Sequence, residues 1–176
     1  MLVMADTNSG TYKFVLVLHL LSAIVGFGAV FLNAIYGQQA RARRGREGLA
    51  ISEANFLVSE VGNYFIYAVF VFGVLLVLLS SKSWKFEQFW IWGSMGLYII
   101  GLGLSHGVLR PNVRRMQALM RELTEAGPPA GGAASGGPPP QVVELEERGR
   151  RVGITGATLN VILVLILFLM VWKPGV

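Results

Sequence analysis

Four long apolar stretches, separated by polar connections, dominate the pattern of the chain. They cover residues 14–37, 61–79, 89–109 and 152–172. Each has about the 20 residues that a helix needs to cross a hydrocarbon core. None shows the strict alternation of polar and apolar positions that a barrel strand shows. The pattern therefore predicts an all-α, polytopic membrane protein built as a bundle of four transmembrane helices.

The connection between the third and fourth stretches, residues 110–151, has a pattern of its own. Its apolar residues Met116, Leu119, Met120 and Leu123 recur at helical spacing among arginines, which predicts a short amphipathic helix. A Gly/Pro-rich linker with too few apolar residues to bury a core follows. We therefore expect a helical hairpin extension on the cytoplasmic side. The expected segments are 1–13 and 173–176 outside the cytoplasm, 14–109 and 152–172 in the membrane, and 110–151 as the hairpin with its linker at 127–140.

Composition excludes several classes of protein. Hydrophobic residues make up 53% of the chain and charged residues only 14%, whereas an ordinary soluble domain is about a quarter charged. The chain has no cysteine, which excludes disulfides, thiolate zinc sites and a cysteine nucleophile. It also lacks the motifs of the common hydrolases, nucleotide-binding proteins and metalloproteases. We therefore lean against an enzyme, and residues alone leave any metal unknown.

The positive charges predict the orientation. All eleven arginines lie in the connections after the first and third stretches, whereas the other side carries only four lysines. Because Lys and Arg near span ends stay on the cytoplasmic side, both termini are expected outside the cytoplasm of a cell (plasma or inner) membrane. The tryptophans and phenylalanines around the start of the third stretch and Trp172 are expected to be anchors at the outer interface. These aromatic residues are Trp84, Phe86, Phe89, Trp90 and Trp92.

The arginine clusters allow two interpretations. Their placement is already explained by the preference of positive residues for the cytoplasmic side. Alternatively, they form a surface for anionic lipid or a partner protein. The candidates for that surface are Arg41, Arg43, Arg44, Arg114, Arg115 and Arg121. Nucleic acid is not expected as a partner, because no set of aromatic residues for base stacking accompanies the arginines.

Ionisable residues within a span are costly and are therefore candidate functional groups. In the first stretch, His19 begins a face of small and polar residues at helical spacing, which predicts packing against other helices. That face comprises His19, Ser22, Gly26, Ala29 and Asn33. Similar faces are expected in the third stretch, with Gly96, Ile100, Gly103 and Gly107, and in the fourth, with Gly153, Gly156 and Asn160.

Depth along the spans separates the two histidines. At 1.5 Å per residue, His19 lies roughly 8 Å and His106 roughly 26 Å from the outer end, too far apart to share one haem iron. Met95 lies at the depth of His19, so a b-type haem with His/Met ligands is one interpretation and a hydrogen bond between helices is the other. A deeper polar cluster is expected from Glu60, Asn63, His106 and Asn160. Glu60 and His106 would form a proton relay or a structural bridge there, unless Glu60 extends to the interface.

Two segments carry a resemblance to a known family. The first is KFVLVLHLLSAIVGFGA, residues 13–29, and the second is GLSHGVLRPNVRR, residues 103–115. With them the chain resembles the DUF2269 group of predicted integral membrane proteins, within the broader set of copper-resistance-D-like four-helix proteins. The family carries no assigned reaction. The cysteine- and methionine-rich ligand sets expected of a copper carrier are absent.

The plan is also similar to that of the HemJ-type protoporphyrinogen oxidases. By that resemblance, His19 matches a first histidine and His106 roughly a second, whereas Met95 stands near the position of a lysine. The departure at Met95 counts against porphyrinogen oxidation but leaves haem binding through His19 open.

The function expected first is therefore a non-catalytic membrane subunit or scaffold. Binding of a b-type haem or tetrapyrrole with His19 as ligand is the alternative, and transport of protons or small solutes is a weaker one, because four spans without an inverted repeat are few for a transporter. The expected partners are the lipid bilayer together with other membrane proteins or a second copy of the chain.

Overall fold

The fold is an all-helical bundle. A computed structural model describes residues 7–43, 45–81, 83–126 and 139–175, and within them it contains helices and no strand. Four of its helical segments are long and apolar enough to cross a membrane, which confirms the predicted four-helix membrane bundle. Arg44 and residues 127–138 of the expected linker lie outside the described residues. The helices are α1 (Gly10–Ala42), α2 (Arg46–Leu79), α3 (Phe89–Leu104), α4 (Arg110–Glu125) and α5 (Pro140–Trp172).

Helix ends are set by local chemistry. The Ser9 side chain accepts a hydrogen bond from the backbone N–H of Tyr12 at 3.2 Å and so caps the start of α1. At the end of α5, Lys173 adopts the left-handed conformation with φ 45°, and its N–H donates to the carbonyl of Leu169. The short connection between α1 and α2 contains Gly45 at φ 72°, a conformation that favours glycine.

Helices α1 and α2 form a tightly packed antiparallel pair. A Cβ atom on Gly62 would lie 2.7 Å from the Cβ of Ala29, and one on Gly26 would lie 3.0 Å from the backbone nitrogen of Ile66. Farther along, the Ser59 hydroxyl donates to the side-chain oxygen of Asn33 at 2.8 Å. The small and polar face predicted for the first span therefore packs against another helix, as expected.

The corresponding prediction for the third span is wrong within this chain. A Cβ atom on Gly96, Gly103 or Gly107 would meet no other atom within 4 Å, and Ile100 is 56% exposed. Helix α3 instead approaches α5 through Gly101, whose Cβ would lie 3.6 Å from a methyl group of Ile162. The contact with α5 therefore determines which face of α3 turns inward, and the spacing of small residues along α3 does not.

Helix α3 continues into α4 through one wide π-helical turn, Ser105–Leu109. Pro111 lies in the first turn of α4 and has no N–H to donate to the helical turn before it. Helix α4 packs against α5 and the start of α2. Leu119 of α4 is fully buried, and Gln117 donates to the carbonyl of Ser52 at 3.0 Å.

Apolar side chains cover much of the outside of the bundle. Ile24 is 71% exposed and Val171 is 78% exposed, and both lie on predicted spans. Apolar surface of this extent is unfavourable in water and is suited to lipid. As an integral membrane protein, the chain therefore meets the lipid bilayer through these residues.

Candidate functional site

A cavity of about 230 Å³ lies among α1, α2, α3 and α5. Its wall is mostly apolar, and no Asp or Glu of the described chain lines it. We call it the His19 cavity, and the end that carries Tyr12, Trp84, Trp90 and Lys173 the tryptophan end. The cavity wall includes the polar, aromatic and small residues Tyr12, His19, Gly73, Trp84, Trp90, Met95 and Lys173. An apolar pocket with a few polar groups is typical of a small-molecule site.

His19 is held in one orientation and one tautomer. Its Nδ1 lies 3.0 Å from the carbonyl oxygen of Val69 on α2. A carbonyl can only accept, so Nδ1 donates its hydrogen. The unprotonated Nε2 then carries a lone pair, and it has no hydrogen-bond partner among residues that the structure describes. That nitrogen can accept a hydrogen bond from a ligand or bind a metal centre.

Gly73 makes this approach of His19 possible. It lies four residues after Val69, one helical turn along α2, directly beside the imidazole. A Cβ atom on Gly73 would lie 3.2 Å from Cε1 of His19. A side chain at position 73 would therefore crowd the imidazole, which would have to shift by a few tenths of an ångström. Sequence reasoning did not identify Gly73, because nothing local in the sequence shows which residue of α2 faces His19.

Met95 of α3 lines the same cavity as His19, so the structure brings the two predicted ligands to one place. The donor types, an imidazole and a thioether, are those of a His/Met haem. The cavity volume of about 230 Å³ is less favourable for haem, because pockets for drug-sized ligands already measure about 300–1,000 Å³. The cavity as it stands suits a ligand smaller than a porphyrin.

The connection between α2 and α3 closes the tryptophan end. Ser80 is fully buried, and its hydroxyl accepts from the backbone N–H of Trp84 at 3.0 Å. The indole Nε1 of Trp84 donates to the Tyr12 hydroxyl at 3.0 Å. Lys173 places its ammonium group 4.1 Å from the centre of the Trp84 ring. The sequence predicts that these tryptophans are interfacial anchors, and their crowding before the third span is the sequence feature that could indicate a site.

The deeper polar residues form separate pairs. The Tyr67 hydroxyl lies 2.7 Å from Nε2 of His106, and Nδ1 of His106 lies 3.1 Å from the carbonyl oxygen of Leu102. Glu60 forms an ion pair with Arg110. Glu60 and His106 therefore contact other residues rather than each other, because the guanidinium of Arg110, the first residue after the π-helical segment, reaches the carboxylate.

A second, smaller cavity of about 70 Å³ lies at this deeper level. Asn63 and His106 both line it, whereas His19 does not. The two histidines thus lie at different sites, in agreement with their predicted depths. Asn160 does not line this cavity, and its buried side-chain oxygen has no partner within the described part of the chain. His106 itself lies in the π-helical turn, and such turns are frequent at functional sites.

Comparison with known proteins identifies the family. The sequence model of the family described as "Predicted integral membrane protein (DUF2269)" matches residues 13–174. The chain belongs to the DUF2269 family. No curated protein and no solved structure matches this DUF2269 protein. The similarity to copper-resistance-D-like and HemJ-type proteins, and with it the haem interpretation, stays a prediction.

The arginines of the DUF2269 protein largely contact other parts of the chain. Arg41 donates to the carbonyl of Gly149, and Arg114 lies 5.5 Å from the centre of the Phe56 ring. Arg115 bonds to Glu144 at 3.2 Å and Arg121 to Glu53 at 2.8 Å. Arg43 is exposed. These contacts join α1, α2, α4 and α5 at the arginine-rich end of the bundle.

Several sequence predictions remain predictions for this DUF2269 protein. They are the lipid or partner surface formed by the arginines, the scaffold and transport functions, and the side of the membrane on which each end lies. The apolar cavity with the free Nε2 of His19 is the feature on which a more specific function can be argued.

Proposed function

We propose that this DUF2269 protein binds a small, lipid-soluble aromatic ligand in the His19 cavity. The ligand carries a hydroxyl group or another hydrogen-bond donor, which it donates to Nε2 of His19. The observation that carries the proposal is the lone pair of this nitrogen, which belongs to a residue of the cavity wall and has no partner among the described residues.

The chemistry of His19 selects the ligand. With Nδ1 committed to the Val69 carbonyl, Nε2 of the neutral ring can only accept. An acceptor without a partner in an apolar site carries a free-energy cost. A ligand that donates to Nε2 removes that cost, whereas an apolar ligand of the same shape does not. The cavity therefore favours ligands that carry a hydrogen-bond donor over apolar ligands of the same shape. Its apolar wall supplies the rest of the affinity.

The test compares 2-naphthol with naphthalene, which share a flat ring system and differ in one hydroxyl group. We expect the protein in nanodiscs to bind 2-naphthol about tenfold more tightly than naphthalene, equivalent to about 1.4 kcal/mol. In His19→Phe the preference should fall to about one, because phenylalanine offers no acceptor. The measurement is equilibrium binding of each compound, corrected for its partition into empty nanodiscs.

His106→Phe is the matched control, since His106 lines the other cavity. That variant should retain the preference for 2-naphthol. If the wild-type protein binds both compounds equally, or if His19→Phe retains the preference, His19 is not the acceptor and the proposal is wrong.

Haem b is a second candidate, favoured by the shared position of His19 and Met95 on one cavity wall. His19, through Nε2, and Met95, through its thioether, would be the residues that hold a haem, provided that wall side chains turn outward to enlarge the cavity. Purified protein would then show sharp α and Soret bands in a reduced-minus-oxidised spectrum. His19→Ala should abolish these bands, and Met95→Leu should shift them. A flat spectrum from folded protein excludes haem and leaves the hydroxyl-bearing ligand.

A further inference from the structure

Trp90 has a buried donor with nothing to donate to. Only 7% of the residue is exposed, and its indole Nε1 has no hydrogen-bond acceptor within the described parts of the chain. Trp90 also lines the His19 cavity. Native proteins rarely leave a buried N–H unpaired, and an unpaired one indicates a water, an ion or a ligand at the site. The unpaired indole N–H therefore indicates that an acceptor binds in the cavity.

Trp92 provides the contrast within one turn of the same helix. It is 55% exposed and does not line the cavity, which is the arrangement of an ordinary interfacial tryptophan. Trp90 is turned inward instead. A role as membrane anchor accounts for Trp92 and not for Trp90.

Lys173 adds a positive charge next to Trp90. Its Nζ lies 4.1 Å from the centre of the Trp84 ring and 5.5 Å from that of Trp90. In the described residues no carboxylate oxygen lies within 4 Å of this ammonium group. The left-handed backbone at Lys173 ends α5 and leaves the side chain folded over the two indoles. An ammonium group has three hydrogens to donate, and aromatic rings satisfy its charge only in part.

Tyr12 supplies a third donor. Its hydroxyl oxygen accepts the hydrogen of Trp84 Nε1 at 3.0 Å, so the hydroxyl hydrogen is left to donate elsewhere. Tyr12 is buried and lines the same cavity. The tryptophan end thus combines an indole N–H, an ammonium group and a phenol, with no acidic residue of the described chain in the cavity wall.

From this arrangement we propose that the tryptophan end binds the anionic head group, a carboxylate or a phosphate, of an amphipathic ligand whose apolar body fills the His19 cavity. This inference rests on the proposed function and specifies the ligand further. Tyr12 and His19 are seven residues apart on α1 and share one face, about 10 Å along the helix axis. The apolar body therefore spans about 10 Å between the anionic head and His19.

The test uses decanoate and decanol, which have the same chain and differ in the charged head. Native mass spectrometry of the purified protein counts bound molecules across a titration of each. We expect one decanoate bound, about tenfold more tightly than decanol. Lys173→Gln and Trp90→Phe should each weaken decanoate binding about five- to tenfold and leave decanol binding unchanged. Lys173→Arg, which retains the charge, should retain most of the affinity.

Two matched controls come from the same end of the bundle. Lys85 and Trp92 are both exposed and both lie outside the cavity wall. Lys85→Gln and Trp92→Phe should therefore bind decanoate as the wild type does. If these controls weaken binding as much as the cavity variants do, the effect is general electrostatics or membrane anchoring, and the proposed site is wrong.

The outcomes also distinguish the two sources of the anion. Decanoate that binds an empty site indicates a free carboxylic acid, whereas decanoate that displaces a co-purified phospholipid indicates a lipid phosphate; both support the site. Equal binding of decanoate and decanol, with no effect of Lys173→Gln or Trp90→Phe, overturns it. Such a result would leave the preference of His19 for 2-naphthol untouched, so the two proposals can fail separately.

Discussion

Replacing Gly48 with alanine should destabilise the bundle by about 3 kcal/mol or more, because no space exists for a single methyl group. A Cβ atom on Gly48 would lie 1.8 Å from the carbonyl oxygen of Arg43 and 2.5 Å from that of Ala40. Both atoms belong to the backbone at the end of α1, so no side-chain rotation relieves the clash. The connection between α1 and α2 is only a few residues long, and the two helices would have to separate.

Thermal unfolding of the detergent-solubilised protein measures this effect. For a chain of this size, 3 kcal/mol corresponds to a decrease of roughly 6–12 °C in Tm. Gly37→Ala is the control, since a Cβ atom there would meet nothing within 4 Å. Alanine favours a helix over glycine by about 1 kcal/mol, so Gly37→Ala should leave Tm unchanged or raise it. Equal Tm values for the two variants would contradict the packing at Gly48.

Replacing Arg110 with glutamine should destabilise the protein by about 3 kcal/mol, because it leaves the carboxylate of Glu60 unpaired at the edge of a membrane span. The two side chains form an ion pair and are only 32% and 30% exposed. A carboxylate in such surroundings keeps its charge at a high cost unless a cation compensates it. The loss should appear as a lower Tm and a greater sensitivity to denaturing detergent.

Two further variants check this explanation. Arg151→Gln breaks the pair with Glu147, in which both side chains are 62% exposed, and exposed pairs contribute only about 0–1 kcal/mol. Its Tm should stay close to that of the wild type. The double variant Glu60→Gln with Arg110→Gln removes both charges and should recover most of the stability. A double variant as unstable as Arg110→Gln would show that packing, and not the unpaired charge, causes the loss.

Local properties of the chain were enough to predict the spans and one packed face. Span length and apolar content depend on each stretch separately, so all four spans can be predicted without knowledge of contacts between helices. The face containing His19, Ser22 and Gly26 was also predicted, since a helix places residues three or four apart on one side. The same rule failed for Gly96, Gly103 and Gly107, which meet no other helix. A row of small residues permits close approach but does not supply a partner.

What the amino-acid sequence alone determined is therefore the membrane class, the four spans, the DUF2269 membership and the choice of His19 as a candidate ligand. Only the tertiary structure decided which distant residues meet. It places Gly73 beside His19, Trp90 and Lys173 at one end of the cavity, and Arg110 against Glu60. The physical reason is the rotation of each helix about its axis. That rotation depends on the sum of contacts with all neighbouring helices, whereas spacing along one helix specifies only which of its own residues share a face.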